Sequence, residues 1–149
     1  MKFLTATLLL SLVVVPAFAG DIAVTAPADA KWAEVPSMPK GVQACLLHGD
    51  PKTGPTISLV KIPAGTLIAA HTHPGDECGT LTSGKAWLGQ GEKFDEATGK
   101  AVEVGGFFSI PAGTPHWFKA ETDCVLVRYS NGPAEQTYCD PAEDPRNQK

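Results

Sequence analysis

The 149-residue chain lacks several features that would assign it to common classes of protein. It has no run of basic residues, and 12 Lys and Arg stand against 16 Asp and Glu. This balance argues against nucleic acid and against an anionic membrane surface as partners. No stretch shows sustained 3.6-residue periodicity, so long amphipathic helices are not expected. The four cysteines contain no C-x2-C pair, which argues against a structural zinc site.

A long apolar run occurs at the start of the chain, where it has the pattern of a secretory signal peptide. Lys2 precedes the apolar residues 3–15, and Pro16-Ala17-Phe18-Ala19 ends in an A-x-A cleavage pattern. The run is shorter than the ~20 apolar residues of a transmembrane helix. We therefore expect a signal peptide over 1–19, cleavage after Ala19, and a periplasmic or secreted protein that has no membrane partner. An uncleaved anchor is the alternative.

The rest of the chain predicts one all-β domain behind an N-terminal arm. Residues 20–40 are rich in Ala and Pro and show no period, and Trp32 is the expected docking point of this arm. From 41 to 149, short β-rich runs alternate with Gly and Pro turns, which is typical of a sandwich or barrel. The predicted strands are 42–48, 56–62, 66–73, 78–84, 85–91, 101–104, 106–111, 116–120 and 124–130, with one more possible in the tail.

Four cysteines lie in the part that would be exported, where disulfides persist. Their even number suggests two bridges with three possible connectivities. Because the chain ends of a barrel often run close together, we favour a Cys45–Cys139 bridge, which leaves Cys78 and Cys124. Cys78 follows Glu77 on a predicted strand, so the two side chains are expected on opposite faces.

Three histidines and a glutamate have the spacing of a metal site. His71 and His73 are two apart, which places both rings on one face of a strand. Glu77 follows after a turn at Pro74-Gly75-Asp76, and His116 follows a later turn. Three imidazoles and a carboxylate suit one divalent transition-metal ion such as Fe, Mn, Cu, Zn or Ni. Asp76 is an alternative carboxylate, and the fourth histidine, His48, is expected on the surface in a turn.

These residues stand in two blocks that resemble the conserved motifs of the cupin superfamily. The first, over 65–84, has the pattern G-x5-H-x-H-x3-E-x6-G in full. The second, over 105–120, has G-x5-P-x-G-x2-H but carries Ala120 where the family pattern has Asn. The resemblance implies a single-domain jelly-roll β-barrel over 41–149, with the metal held inside by His71, His73, Glu77 and His116. It also implies a homodimer paired through the outer sheet.

The predicted site leaves open what the protein does. Four protein ligands leave one or two positions on the metal for a small oxygen-rich molecule, which suits an oxygenase such as a dioxygenase, a decarboxylase or an isomerase. The alternative is a non-catalytic protein that binds a metal or a small ligand. No catalytic residue can be named. Arg128 and Tyr129 are the polar candidates on the late strand, and one of them must face outward. By the same parity, Phe118 shares the face of His116 and Trp117 does not.

Overall fold

The computed structural model describes residues 22–148, and the proposed signal peptide lies outside this range. The described residues form eleven strands: β1 Ala33–Glu34, β2 Gln43–Gly49, β3 Thr56–Ile62, β4 Leu67–Thr72, β5 Glu77–Ser83, β6 Ala86–Gln90, β7 Lys100–Val102, β8 Phe107–Ile110, β9 His116–Ala120, β10 Cys124–Ser130 and β11 Thr137–Tyr138. They make two antiparallel sheets, with order β1-β2-β3-β10-β5-β8 in one and β11-β4-β9-β6-β7 in the other. The all-β jelly-roll prediction is therefore confirmed.

The helical content of the described residues consists of short 3-10 turns. They cover Pro27–Asp29, Glu96–Thr98, Pro141–Glu143 and Pro145–Asn147. Within the described range, no helix is both long and apolar enough to cross a membrane.

The barrel interior has an apolar end and a polar end, because the inward positions change character along each strand. On β3 the inward side chains are Val60 and Ile62 at one end and hydroxyl-bearing residues at the other. On the antiparallel neighbour β10, Leu126 lies opposite Val60, and Arg128 lies opposite Ser58. The apolar end contains the core, and the polar end leaves room for a site. The core residues are Val42, Val60, Ile62, Ile68, Leu81, Ala86, Val102, Phe108, Ile110, Phe118, Ala120, Cys124 and Leu126.

The N-terminal segment, residues 22–38, packs on the outside of the six-stranded sheet up to Trp32, and its residues 33–38 then cover inward-facing side chains such as Val60 and Arg128. Its short strand β1 pairs with β2 and extends that sheet by one strand. The ammonium group of Lys61 on β3 lies 3.8 Å from the centroid of the Trp32 ring, a cation–π contact that fixes Trp32 against the sheet.

Two local predictions are corrected by the structure. All four cysteines are free thiols among the described residues, so the expected Cys45–Cys139 bridge is absent. Cys45 lies on β2 of one sheet, whereas Cys139 follows β11 at the edge of the other, so nearness of the chain ends did not bring their thiols together. His48 is exposed as predicted but lies in strand β2 rather than in a turn, because this strand continues to Gly49.

Candidate metal centre

Three histidine side chains meet at the polar end of the barrel. His71 lies near the end of β4, His73 follows that strand, and His116 begins β9, where it pairs with His71 across the sheet. All three are buried, and one ring nitrogen from each lies within 4.8 Å of those of the other two. A hydrogen bond holds the turn before His116 next to His73: the Gly113 amide donates to the His73 carbonyl at 2.9 Å. Gly113 has φ +71°, a conformation that favours glycine.

Backbone carbonyls set the orientation of each imidazole. The Nδ1 atom of His71 lies 2.7 Å from the Ala69 carbonyl, that of His73 lies 2.6 Å from the Glu135 carbonyl, and that of His116 lies 3.0 Å from the Thr114 carbonyl. Because a carbonyl only accepts, Nδ1 carries the proton in each neutral ring, and Nε2 carries a lone pair. Metal-binding histidines are commonly oriented in this way by a second hydrogen bond.

The Nε2 atoms face one another without a proton to share. Those of His71 and His73 are 3.1 Å apart, and two lone pairs at this distance repel. Two ligand atoms at right angles on an ion with bonds of about 2.1 Å would be separated by about 3 Å. A divalent ion would therefore relieve the repulsion and use all three lone pairs. The donor set of this site fits a transition-metal ion.

Burial keeps two of these imidazoles neutral. Burial, followed by the nearby His116 and His73, lowers the pKa of His71 to about 3. Burial also lowers the pKa of His116. A neutral imidazole is the form that binds a metal, so both rings are ready to act as ligands at neutral pH.

Glu77 borders the histidine cluster and is held by an arginine. Its Oε2 atom lies 3.0 Å from His73 Nε2, accepts a hydrogen bond from Arg128 Nε at 2.6 Å, and forms an ion pair with Arg128 Nη2 at 2.6 Å. Burial alone would raise the pKa of the Glu77 carboxyl, but the positive charge of Arg128 and its hydrogen bond outweigh burial and hold the pKa well below its usual range. The carboxylate is therefore ionised beside the imidazoles.

The geometry also distinguishes the residues that the sequence left open. Asp76 is exposed and supports a loop, since its carboxylate accepts from the Ala112 amide and the Asn131 side chain. Arg128 faces inward and Tyr129 is exposed. Phe118 belongs to the core between the sheets, whereas Trp117 is buried on the other face, against Phe94. The ion pair of Arg128 with Glu77 was not predictable, because the sequence does not show that β10 lies beside β5.

Two cavities reach the cluster from different sides. One, of about 520 Å³, opens between the free edges of β7 and β8 and has His116 in its wall. The other, of about 380 Å³, lies beneath the N-terminal segment and has His73, Arg128 and Gln136 in its wall. Sequence reasoning did not select Gln136, because the stretch before β11 shows no strand pattern that would place its side chain.

Two antiparallel sheets around a buried histidine cluster define the chain as a jelly-roll protein of the cupin type. The model of the ChrR cupin-like domain family matches residues 21–133. The chain belongs to this family, and the predicted cupin resemblance is confirmed.

Solved structures show the same fold at low sequence identity. A putative acetylacetone dioxygenase from Methylibium petroleiphilum is 24% identical, with a TM-score of 0.62 over 85% of this chain and 88% of that one. An RmlC-like cupin from Ralstonia eutropha is 20% identical, with a TM-score of 0.61 over 75% and 69%. The DMSP lyase from Ruegeria pomeroyi is 18% identical, with a TM-score of 0.59 over 74% and 61%. No curated protein matches the sequence.

Proposed function

We propose that the protein is a metal-dependent cupin enzyme that acts on a small oxygen-rich molecule, as an oxygenase, decarboxylase or isomerase. The observation that carries this proposal is the convergence of three Nε2 lone pairs, each set by a backbone carbonyl, on one buried point. His71, His73 and His116 would hold the ion, with Glu77 as the fourth ligand beside them. A bound divalent ion would polarise a carbonyl or carboxylate oxygen of the substrate.

The protein's own residues prepare the site for such chemistry. Arg128 fixes the Glu77 carboxylate and keeps it ionised. Apolar side chains such as Leu88 and Val60 line the two cavities, which limits the access of water to the bound molecule. Two of the structural neighbours are named as a putative acetylacetone dioxygenase and a lyase, and acetylacetone with dioxygen is therefore our first test reaction.

A non-catalytic binding protein is the second candidate function. It is favoured by the pairing of Glu77 with Arg128, since these two ionisable groups beside the imidazoles are already committed to each other. An enzyme needs an acid or base within reach of the reacting atoms. Activity screening with the native metal separates the two functions: binding of a small ligand without turnover would favour the second.

Replacement of His73 by Ala tests the metal site itself. We expect the variant to lose most of its bound metal and to stay folded, because the apolar core lies at the other end of the barrel. Elemental analysis of protein purified from its native compartment gives the metal content and identity, and circular dichroism reports the fold. His48→Ala is the matched control, since this exposed histidine lies away from the cluster. Full metal content in His73→Ala would contradict the four-ligand proposal.

We also propose that the chain is exported and that the signal peptide 1–19 is removed, which leaves an arm over 20–40 and a barrel domain over 41–149. The support is the order of Lys2, an apolar run and the A-x-A pattern before Gly20. N-terminal sequencing of the protein recovered outside the cytoplasm should begin at Gly20. Recovery of the intact chain, starting at Met1, would show that processing at this position does not occur.

A further inference from the structure

The cavity beneath the N-terminal segment differs in character from the one between β7 and β8. It encloses about 380 Å³, a volume within the usual range of small-molecule pockets. Apolar side chains form most of its wall, including Val35 and Met38 from the N-terminal segment and Leu46 from β2. His73 and Arg128 lie at the inner end, next to the candidate metal centre, whereas the opposite charges of Lys31 and Glu34 line the cavity from the N-terminal segment.

One buried amide in this wall makes no hydrogen bond of ordinary geometry. Gln136 is only 5% exposed, and neither its Nε2 nor its Oε1 atom makes such a bond within the described part of the chain. The Gln136 side chain lies near the Tyr138 hydroxyl, which donates its own proton to the Ser37 carbonyl at 2.9 Å. A buried amide without hydrogen bonds destabilises the folded protein. Once the Gln136 side chain turns toward the cavity, a ligand that accepts from Nε2 and donates to Oε1 would offset this loss.

The charge of the loaded site favours an anionic ligand. Three neutral imidazoles contribute no charge, so a divalent ion and Arg128 together bring three positive charges against the single negative charge of Glu77. Excess buried charge of one sign is costly unless it is compensated. Arg128 uses Nε and Nη2 for Glu77, so Nη1 lies outside that pair and is available to a second acceptor. Arg128 also lines this cavity.

From this arrangement we propose that the cavity beneath the N-terminal segment binds a small hydroxy acid. The carboxylate lies between Arg128 and the metal centre and accepts from the Gln136 amide, and a hydroxyl of the same molecule donates to the Gln136 carbonyl oxygen. The segment carrying Val35 and Met38 covers the ligand. This inference rests on the proposed function, because the excess positive charge requires a bound divalent ion.

Isothermal titration calorimetry of the zinc-loaded protein with three matched six-carbon probes tests the ligand class. Gluconate has a carboxylate and hydroxyls, sorbitol lacks the carboxylate, and hexanoate lacks the hydroxyls. We expect gluconate to bind at least about tenfold more tightly than either of the others, since each lacks one of the two partners. Sorbitol or hexanoate binding as tightly as gluconate would overturn the proposal, as would no binding of gluconate.

Two glutamine variants locate the ligand. Gln136→Glu should weaken gluconate binding by about tenfold or more, because it places a carboxylate beside the ligand's own. Gln90→Glu is the matched control: Gln90 lines the other cavity and pairs with His116 across the sheet. Weaker binding in Gln90→Glu, with Gln136→Glu unchanged, would place the ligand in the cavity between β7 and β8 and overturn the proposal.

Leu46→Trp is a second test that does not depend on the folding of Gln136→Glu. Leu46 is half exposed at the edge of the cavity, so a larger side chain can enter the cavity without disturbing the core. We expect it also to weaken gluconate binding, and unchanged affinity would count against this cavity. Zinc content is measured in every sample. Failure to bind zinc contradicts the proposed function, whereas stoichiometric zinc without gluconate binding overturns this inference alone.

Discussion

At the polar end of the barrel, Glu77 and Arg128 compensate each other's buried charge. Both side chains are buried, and the carboxylate accepts a hydrogen bond from Nε of the guanidinium and forms an ion pair with its Nη2. A buried pair of this kind adds little net stability over apolar residues, but the loss of one partner leaves an uncompensated charge. The pair therefore holds a carboxylate ready beside the histidines in the metal-free protein.

Replacement of Arg128 by Met should destabilise the metal-free protein by about 3 kcal/mol, because Glu77 is left charged and buried without its partner. The loss should be smaller in the zinc-loaded protein, since the ion compensates the same carboxylate. Urea denaturation of both forms measures the two values. Lys119→Met is the control, because its pair with Glu96 is exposed and should contribute less than about 1 kcal/mol. Equal losses with and without zinc would show that Glu77 is not a ligand.

At the scale of single elements, close packing between β6 and β9 depends on one glycine. A Cβ atom added to Gly89 would lie 2.0 Å from the Cζ2 atom of Trp117, whose side chain is fully buried. Trp117 is confined further by Phe94, whose ring centroid lies 4.7 Å away. The indole therefore covers the outer face of the five-stranded sheet, over strands that help to form the metal centre.

The change Gly89→Ala should destabilise the protein by about 1–3 kcal/mol, since the methyl group enters the space of the indole ring. The same change in a Trp117→Phe background should cost less, because the smaller ring lacks the atoms that clash. Denaturation of the four proteins of this double-mutant cycle gives the coupling energy. Strict additivity would show that the indole shifts freely and that this packing is loose.

Most strands could be predicted from the sequence, because turns rich in Gly and Pro divide the chain and alternation marks the inward face. On β3, for example, Val60 and Ile62 face the core at every second position, as a half-buried strand requires. The inward direction of His71 and His73 followed from the same parity. Strand order and register could not be predicted, since they depend on contacts between distant segments, and these contacts bring Arg128 to Glu77 and Gln136 to the second cavity.

The expectation that cysteines of an exported protein form disulfides did not predict the state of these four thiols. Export would permit disulfides, but a bridge needs two Cα atoms within about 7 Å. In the structure Cys45 and Cys124 are buried within strands of the six-stranded sheet, and Cys139 is exposed near the edge of the other. Burial raises the pKa of the Cys124 thiol, which makes it less reactive. The cellular compartment determines whether a disulfide can persist, whereas the fold determines which thiols are close enough to form one.

At the scale of the whole molecule, the outer face of the six-stranded sheet remains partly uncovered. The N-terminal segment covers one part, around Trp32, Leu59 and Val125. Beyond it, Tyr129 lies opposite Ile57 on the neighbouring strand, and both are exposed. Phe107, at the edge of this sheet, is 71% exposed. Neighbouring exposed apolar side chains of this kind are typical of an interaction surface.

We expect two copies of the protein to pair through this surface, in line with the dimer that the cupin resemblance implies. A symmetric dimer would bring Tyr129 and Ile57 of each copy into one apolar interface. Light scattering at micromolar concentration should give twice the monomer mass. Tyr129→Asp should shift the protein to monomers without loss of bound metal, because its side chain faces away from the site and a charge in an apolar interface is costly. Ala101→Asp is the control, since Ala101 is exposed on β7 of the other sheet and should leave the mass unchanged. A monomer mass for the unaltered protein would rule out the dimer, whereas a dimer that persists in Tyr129→Asp would place its interface elsewhere.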